Sequence, residues 1–290
     1  MSWLSLGLVV TAAFLHASWN LASKRAAGAG AVFVFFYRIW SGILYLPWVL
    51  WLLHDQAMSW SGMAILFVGL STLIHLGYSL SLMKGYQKAD LSIVYPVARG
   101  TGPLLASIVA ILWLGESIHL SKALGILGVV CGILLIATQG QWKMFRSPQS
   151  WVGIRWGLCI GTFIAAYSVV DAYSVKVLLV APVILDWISS LGGAMLLAPG
   201  VWSERAQLRK KMKGNWLLAF FVGLVSPLAY ILVLYALRLG ADVSQVAPLR
   251  EMSMIVATLV GALILREQVS AGRWLGCVAI LTGVILIATS

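Results

Sequence analysis

Residues Ala89 to Pro103 read ADLSIVYPVARGTGP, and residues Ala241 to Ile255 read ADVSQVAPLREMSMI. At a constant offset of 152, Ala89, Asp90, Ser92, Val94 and Pro96 recur as Ala241, Asp242, Ser244, Val246 and Pro248. Each copy opens an apolar segment of roughly 25 residues, long enough to cross a bilayer as a helix. Each also carries charge near its middle: Arg99 in the first, Arg250 and Glu251 in the second. A charge at membrane depth is costly unless it faces a partner or a wet cavity, so these three are candidates for function. A duplicated, proline-interrupted, charge-bearing helix points to a transporter whose binding site lies between two halves.

The composition around this stretch fits that reading. Hydrophobic residues make up 61% of the 290 positions and charged residues 10%, with a mean hydropathy of +0.96. An ordinary soluble domain is excluded. The apolar runs are long, as in a helical bundle and unlike the short alternating strands of an outer-membrane barrel. The first run contains His16 and Asn20 and lacks a basic n-region, so it reads as a retained helix and not as a removed signal peptide. The net charge of +11 sits mostly in short loops, where it orients the chain in the membrane; no nucleic-acid partner is expected. Cys131, Cys159 and Cys277 are isolated in apolar runs, which suits packing better than metal or redox chemistry.

Ten spans are expected, over 3–23, 31–53, 61–83, 89–114, 120–139, 150–173, 177–201, 215–237, 243–265 and 271–289. The repeat extends past the opening stretch. Tyr78 matches Tyr230, and after a one-residue slip Glu116 matches Glu267, Gly125 matches Gly276 and Gly132 matches Gly283. At that offset His16, Asn20 and Ser23 fall on Tyr167, Asp171 and Ser174. The chain therefore divides into five-helix halves, residues 1–142 and 143–290. An odd number of spans per half makes the two copies inverted in the membrane. The expected fold is an all-α polytopic membrane protein of two inverted five-helix repeats. Loops after spans 1, 3, 5, 7 and 9 hold thirteen Lys and Arg residues, against Lys122, Lys176 and Arg238 in the opposite loops. The basic side is cytoplasmic, which places both termini outside.

Polar side chains inside the spans recur at helical spacing. His16, Asn20 and Ser23 share a face of span 1, and Tyr167, Asp171 and Ser174 share one of span 6. Span 3 offers Ser71, His75 and Tyr78, and span 8 offers Ser226 and Tyr230. Span 4 aligns Ser92, Tyr95 and Arg99, and span 9 aligns Ser244 and Glu251 with Pro248 between them. Six faces turned onto one cavity would leave spans 5 and 10 at the periphery. Blander readings compete. Serines in membrane helices bond the carbonyl four residues back, and His16 or His75 can bridge two helices. Tyr45, Trp48 and Trp51 suit an interfacial belt, and Arg38 is near enough to a helix end to snorkel. Glu116 and Glu267 suit capping, and Gly125, Gly128 and Gly132 suit close helix packing. Arg99 with Glu251 also suits a purely structural ion pair.

The two halves resemble the drug/metabolite transporter superfamily, specifically its bacterial EamA-type members of ten helices. The resemblance rests on YPVARGTGPLLASIVAILWLGE and its partner APLREMSMIVATLVGALILRE, each a Pro-containing helix followed by a Glu-bearing turn and a Gly-rich last helix. It implies a central cavity between helices 3, 4, 8 and 9, flanked by 1 and 6. It further implies secondary transport of small metabolites, frequently as export, across the bacterial inner membrane, by a monomer or homodimer. Arg99 and Arg250 suit a carboxylate held bidentately, with Glu251 beside them. Tyr78, Tyr95, Tyr167, Tyr230 and Trp19 suit an aromatic or ammonium group, and His16, Asn20 and His75 add polar contacts. An amino-acid-like zwitterion satisfies both sets. Asp171 is the expected proton carrier. The rivals are a membrane enzyme acting on a lipid-linked substrate and a channel. No HExxH pair, Asp-rich loop or GxxxxGK run appears in the sequence, and no cofactor is expected.

Overall fold

A computed structural model describes residues 1–55, 60–89, 91–139, 148–263 and 269–290. The chain folds as α1 (Trp3–Arg25), α2 (Gly30–Asp55), α3 (Gly62–Lys88), α4 (Leu91–Trp113), α5 (Leu120–Thr138) and α6 (Pro148–Lys176). It continues as α7 (Pro182–Ser203), α8 (Arg205–Met212), α9 (Trp216–Arg238), α10 (Val243–Leu249), α11 (Met252–Leu263) and α12 (Ala271–Ala288). Ten segments are long and apolar enough to cross a membrane, α10 and α11 together making one of them. The protein is an all-α polytopic membrane protein, with no strand among the described residues. Asp90 and Glu267, used above for the repeat, lie outside those residues, as do Lys143, Arg146 and Arg266, three of the thirteen basic loop residues, and the side chain of Ser92.

Local chemistry sets the helix starts. The hydroxyls of Ser2 and Ser61 accept from the backbone N–H of Ser5 and Ala64, each at 3.1 Å, capping α1 and α3. The seventh helix begins five residues later than its apolar run because Leu179 takes φ +56° and Pro182 then fixes the first helical position. The basic stretch Arg205–Met212, expected as plain loop, forms the short helix α8.

The ninth span is broken where its charges lie. Pro248 has no N–H to give, and across the break Glu251 N bonds Pro248 O at 3.0 Å and Met254 N bonds Glu251 O at 2.9 Å. These tighter i→i+3 bonds separate α10 from α11 at Arg250 and Glu251. The equivalent α4 runs through Pro96 and Pro103 without interruption.

Helices α5 and α12 pack on each other through glycines. A Cβ on Gly132 would stand 2.7 Å from the carbonyl oxygen of Gly276, and one on Gly125 2.7 Å from that of Gly283, so only glycine admits this approach. Helix α6 presents Gly153, Gly157 and Gly161 to Ile93, Val97 and Thr101 of α4 in the same way. A second tie is polar. The Glu116 carboxylate accepts from the backbone N–H of Val243 at 2.6 Å and Ser244 at 2.9 Å, capping α10. The buried Lys122 ammonium donates to Ser117 O (2.7 Å), Asp242 Oδ2 (2.9 Å) and Ser244 Oγ (3.3 Å).

Two surface assignments are overturned. Tyr45 is buried and donates to Leu224 O at 2.6 Å, so it does not belong to an interfacial belt. Arg38 does not snorkel: it is 6% exposed and donates to Ser189 O at 3.1 Å and Ser79 Oγ at 3.0 Å.

Candidate functional site

Helices α1, α2, α3, α6, α7 and α9 surround a cavity of about 100 Å³, and Arg250 is on its lining as well. His16 and Trp19 reach it from α1, His75, Tyr78 and Ser79 from α3, and Tyr167 from α6. Tyr37, Arg38 and Ser41 come from α2, Asp186, Ser189 and Ser190 from α7, and Ser226, Pro227 and Tyr230 from α9. Helices α5 and α12 contribute nothing to the lining. Helix α4, expected among the lining helices, is absent too, and α2 and α7 take part instead.

Arg250 is held by aromatic groups. Its Nη2 donates to the Tyr167 hydroxyl at 3.3 Å, and its guanidinium carbon lies 5.9 Å from the centre of the Tyr167 ring and 5.6 Å from that of Tyr230. Among the described residues no carboxylate comes within 4.0 Å of it. A buried cation on a cavity wall, met by two rings and a hydroxyl, can take an incoming anion. Asp186 lines the same cavity, and no Lys, Arg or His among the described residues comes within 4.0 Å of its carboxylate. The indole N–H of Trp19 has no hydrogen-bond partner among the described residues, which leaves a donor beside the same space.

Arg99 and Glu251 sit behind this cavity and not on its wall. Arg99 Nε lies 2.8 Å from Glu251 Oε2 as an ion pair whose N–H points off the oxygen. Arg99 Nη2 donates to Ser253 Oγ at 2.8 Å and Nη1 to His16 Nε2 at 3.1 Å. Because a guanidinium only donates, His16 accepts on Nε2 and carries its proton on Nδ1. Tyr95 lies against Arg99, its ring centre 5.7 Å from the guanidinium carbon, and does not line the cavity. Asn20 donates to His16 O at 2.8 Å, one turn back on its own helix.

Asp171 forms a third cluster. Its Oδ2 accepts from the Tyr230 hydroxyl at 2.5 Å and lies 2.9 Å from His75 Nε2. Its Oδ1 is buried without a partner. His75 in turn stacks on Tyr167 at 4.3 Å between ring centres. Tyr167 and Tyr230 therefore touch both the Arg250 cation and the Asp171 cluster.

The model of the EamA-like transporter family matches residues 3–138 and again residues 151–289. The chain belongs to that family. A curated relative of this EamA-like protein, an uncharacterized transporter in the cobO 3' region of a Sinorhizobium species, is 30% identical over 95 residues. That match takes in 33% of the chain and 64% of the relative, under two thirds of its length. A solved structure described as "Crystal structure of protein" superposes with a TM-score of 0.75 at 15% identity and covers 98% of each chain, so the two share a fold.

Arg38 and Asp186 are the functional candidates that sequence reading left out of the EamA-like site. Asp186, Ser189 and Ser190 do carry a signal, polar residues at i, i+3 and i+4 on one helix face. Arg38 carries a weaker one in Gly193, where any side-chain carbon would collide with its guanidinium.

Proposed function

We propose that the protein is a secondary active transporter, working as an exporter, for a small zwitterionic metabolite of the amino-acid kind. The observation that carries this is Arg250, a buried cation on the cavity wall with no carboxylate within 4.0 Å among the described residues. A substrate carboxylate completes it, and Asp186 elsewhere on the wall receives the ammonium group. Tyr78, Tyr167 and Tyr230 hold the aliphatic or aromatic remainder.

Substrate reaches the cavity by alternating access between two inverted repeats, residues 1–142 and 143–290. The double family match supports the repeat, and the break at Arg250 supports a mobile binding helix. The setting is the bacterial inner membrane with both termini outside, supported by the uneven distribution of basic residues. Asp171 carries the coupling proton, buried at the cavity's edge and bonded to two cavity residues.

The test is reconstitution of purified protein into liposomes and counterflow of a panel of radiolabelled L-amino acids. Saturable counterflow of at least one, lost in Arg250→Ala, is expected. Non-saturable flux indicates a channel instead, and no counterflow across the panel rejects the zwitterion class.

A further inference from the structure

We propose that His75 is the proton relay between the cavity and Asp171. The inference rests on the proton-carrying role proposed above for Asp171.

Asp171 has no open path of its own. Its side chain is 1% exposed, against 18% for His75, and His75 lines the cavity whereas Asp171 does not. Among the described residues the carboxylate has two side-chain partners, His75 and Tyr230, and both line the cavity. An imidazole has two nitrogens, and here they face different neighbours. Nε2 points at Asp171 Oδ2, 2.9 Å away, and Nδ1 has no protein partner among the described residues. A proton from cavity water binds Nδ1, the Nε2 proton moves to Asp171 Oδ2, and a neutral ring remains with its proton on Nδ1. Unloading runs the same steps backwards.

Tyr230 is the weaker route. To pass a proton it must go through a phenolate, a far costlier species at neutral pH than the imidazolium that a histidine passes through. Its fixed hydroxyl donates to Oδ2 and so orients the carboxylate toward His75.

Groups from several helices face His75. Tyr167 stacks on it from α6 and Tyr230 meets it edge-on from α9. Asp186 on α7 interacts electrostatically with His75, with Asp171 and with Arg38 of α2. Asp171 is the nearest acid to the ring, 2.9 Å from Nε2, and Arg38 and Arg250 line the same cavity.

Protonation of Asp171 is followed in full-length protein in nanodiscs, after a pH jump, as the infrared band of a buried carboxylic acid. No substrate is needed, and Asp171→Asn assigns the band by abolishing it. In His75→Asn, whose amide donates but does not shuttle protons, the band grows at least about tenfold more slowly, and imidazole added to the buffer restores the rate. His75→Gln serves the same purpose if the asparagine variant does not fold. An unchanged rate overturns the relay and leaves Asp171 as proton carrier. Slowing that imidazole does not rescue also overturns it, since that is the mark of a structural defect. A wild-type protein with no titrating Asp171 band removes both the relay and the carrier role.

Discussion

Arg99 and Glu251 occupy the same position in the two copies of the repeated stretch, carry opposite charges, and meet with Nε and Oε2 2.8 Å apart. The contact joins α4 to the break between α10 and α11. It also absorbs two of the three mid-span charges, and Arg250, about 100° further back around the helix, is the one left for the cavity.

Removing either partner strands the other where water is scarce, Arg99 being 9% and Glu251 3% exposed at the side chain. Arg99→Ala and Glu251→Ala are each expected to cost about 3–5 kcal/mol, seen as reduced folded yield by fluorescence-detected size exclusion. The double variant recovers a large part of that yield, because no lone charge remains. A double variant as poor as the worse single one rules out the pair as a structural unit.

Arg250 makes the opposite prediction. Arg250→Lys keeps a cation under the Tyr167 and Tyr230 rings, so the folded yield stays near wild type. Lysine cannot form the two parallel bonds of a guanidinium. The counterflow KM is expected to rise about 10–100-fold, the worth of one charge-assisted hydrogen bond. An unchanged KM defeats the carboxylate clamp.

Orientation is open to direct chemistry. Gln207 is exposed on α8, the helix carrying Arg205, Arg209, Lys210 and Lys211. In a cysteine-free background, Gln207→Cys is expected to resist a membrane-impermeant maleimide in intact cells and to react after permeabilisation. Ser290→Cys at the C-terminus shows the reverse, and labelling of Gln207→Cys in intact cells inverts the topology.

The spans were legible because a bilayer demands about 20 apolar residues per crossing, and the sequence obeys that rule ten times. The break in the ninth span was half legible. Pro248 announced a weak point, but the same proline position in α4 leaves that helix whole, so the difference lies in packing. Helix α8 was missed because eight residues, four of them basic, carry no span signal. Within the site, spacing told which side chains share a face of one helix but not how far each helix is rotated toward its neighbours. That is why Arg99 and Tyr95 fall behind the cavity wall. It is also why Arg38 joins it, through a space left by Gly193 far away in sequence.

Asp171→Asn separates coupling from binding. The amide keeps a carbonyl oxygen for the Tyr230 hydroxyl and removes the titrating group. Uptake driven by a pH gradient is expected to fall to the level seen without a gradient, while counterflow exchange in symmetric buffer persists. Gradient-driven uptake that survives in Asp171→Asn takes the residue out of the coupling mechanism.

The tie between Lys122 and Asp242 predicts an asymmetry within a single ion pair. Lys122 is 2% exposed at its side chain and Asp242 28%. Asp242→Asn keeps a carbonyl oxygen for the ammonium but removes the charge, and so leaves a deeply buried cation with neutral partners alone, the new amide oxygen, Ser117 O and Ser244 Oγ. Lys122→Met instead leaves a carboxylate that water reaches, and replaces the ammonium with an apolar chain of similar length. The asparagine variant is expected to lose several kcal/mol and the methionine variant about 1 kcal/mol or less. Glu116→Gln falls between them: its carbonyl accepts from one of the two α10 N–H groups, and its amide turns a donor toward the other, at about 1–2 kcal/mol. Thermal unfolding in detergent ranks the three. A methionine variant as unstable as the asparagine one shows that the ion pair itself, and not the stranded cation, holds α10 in place.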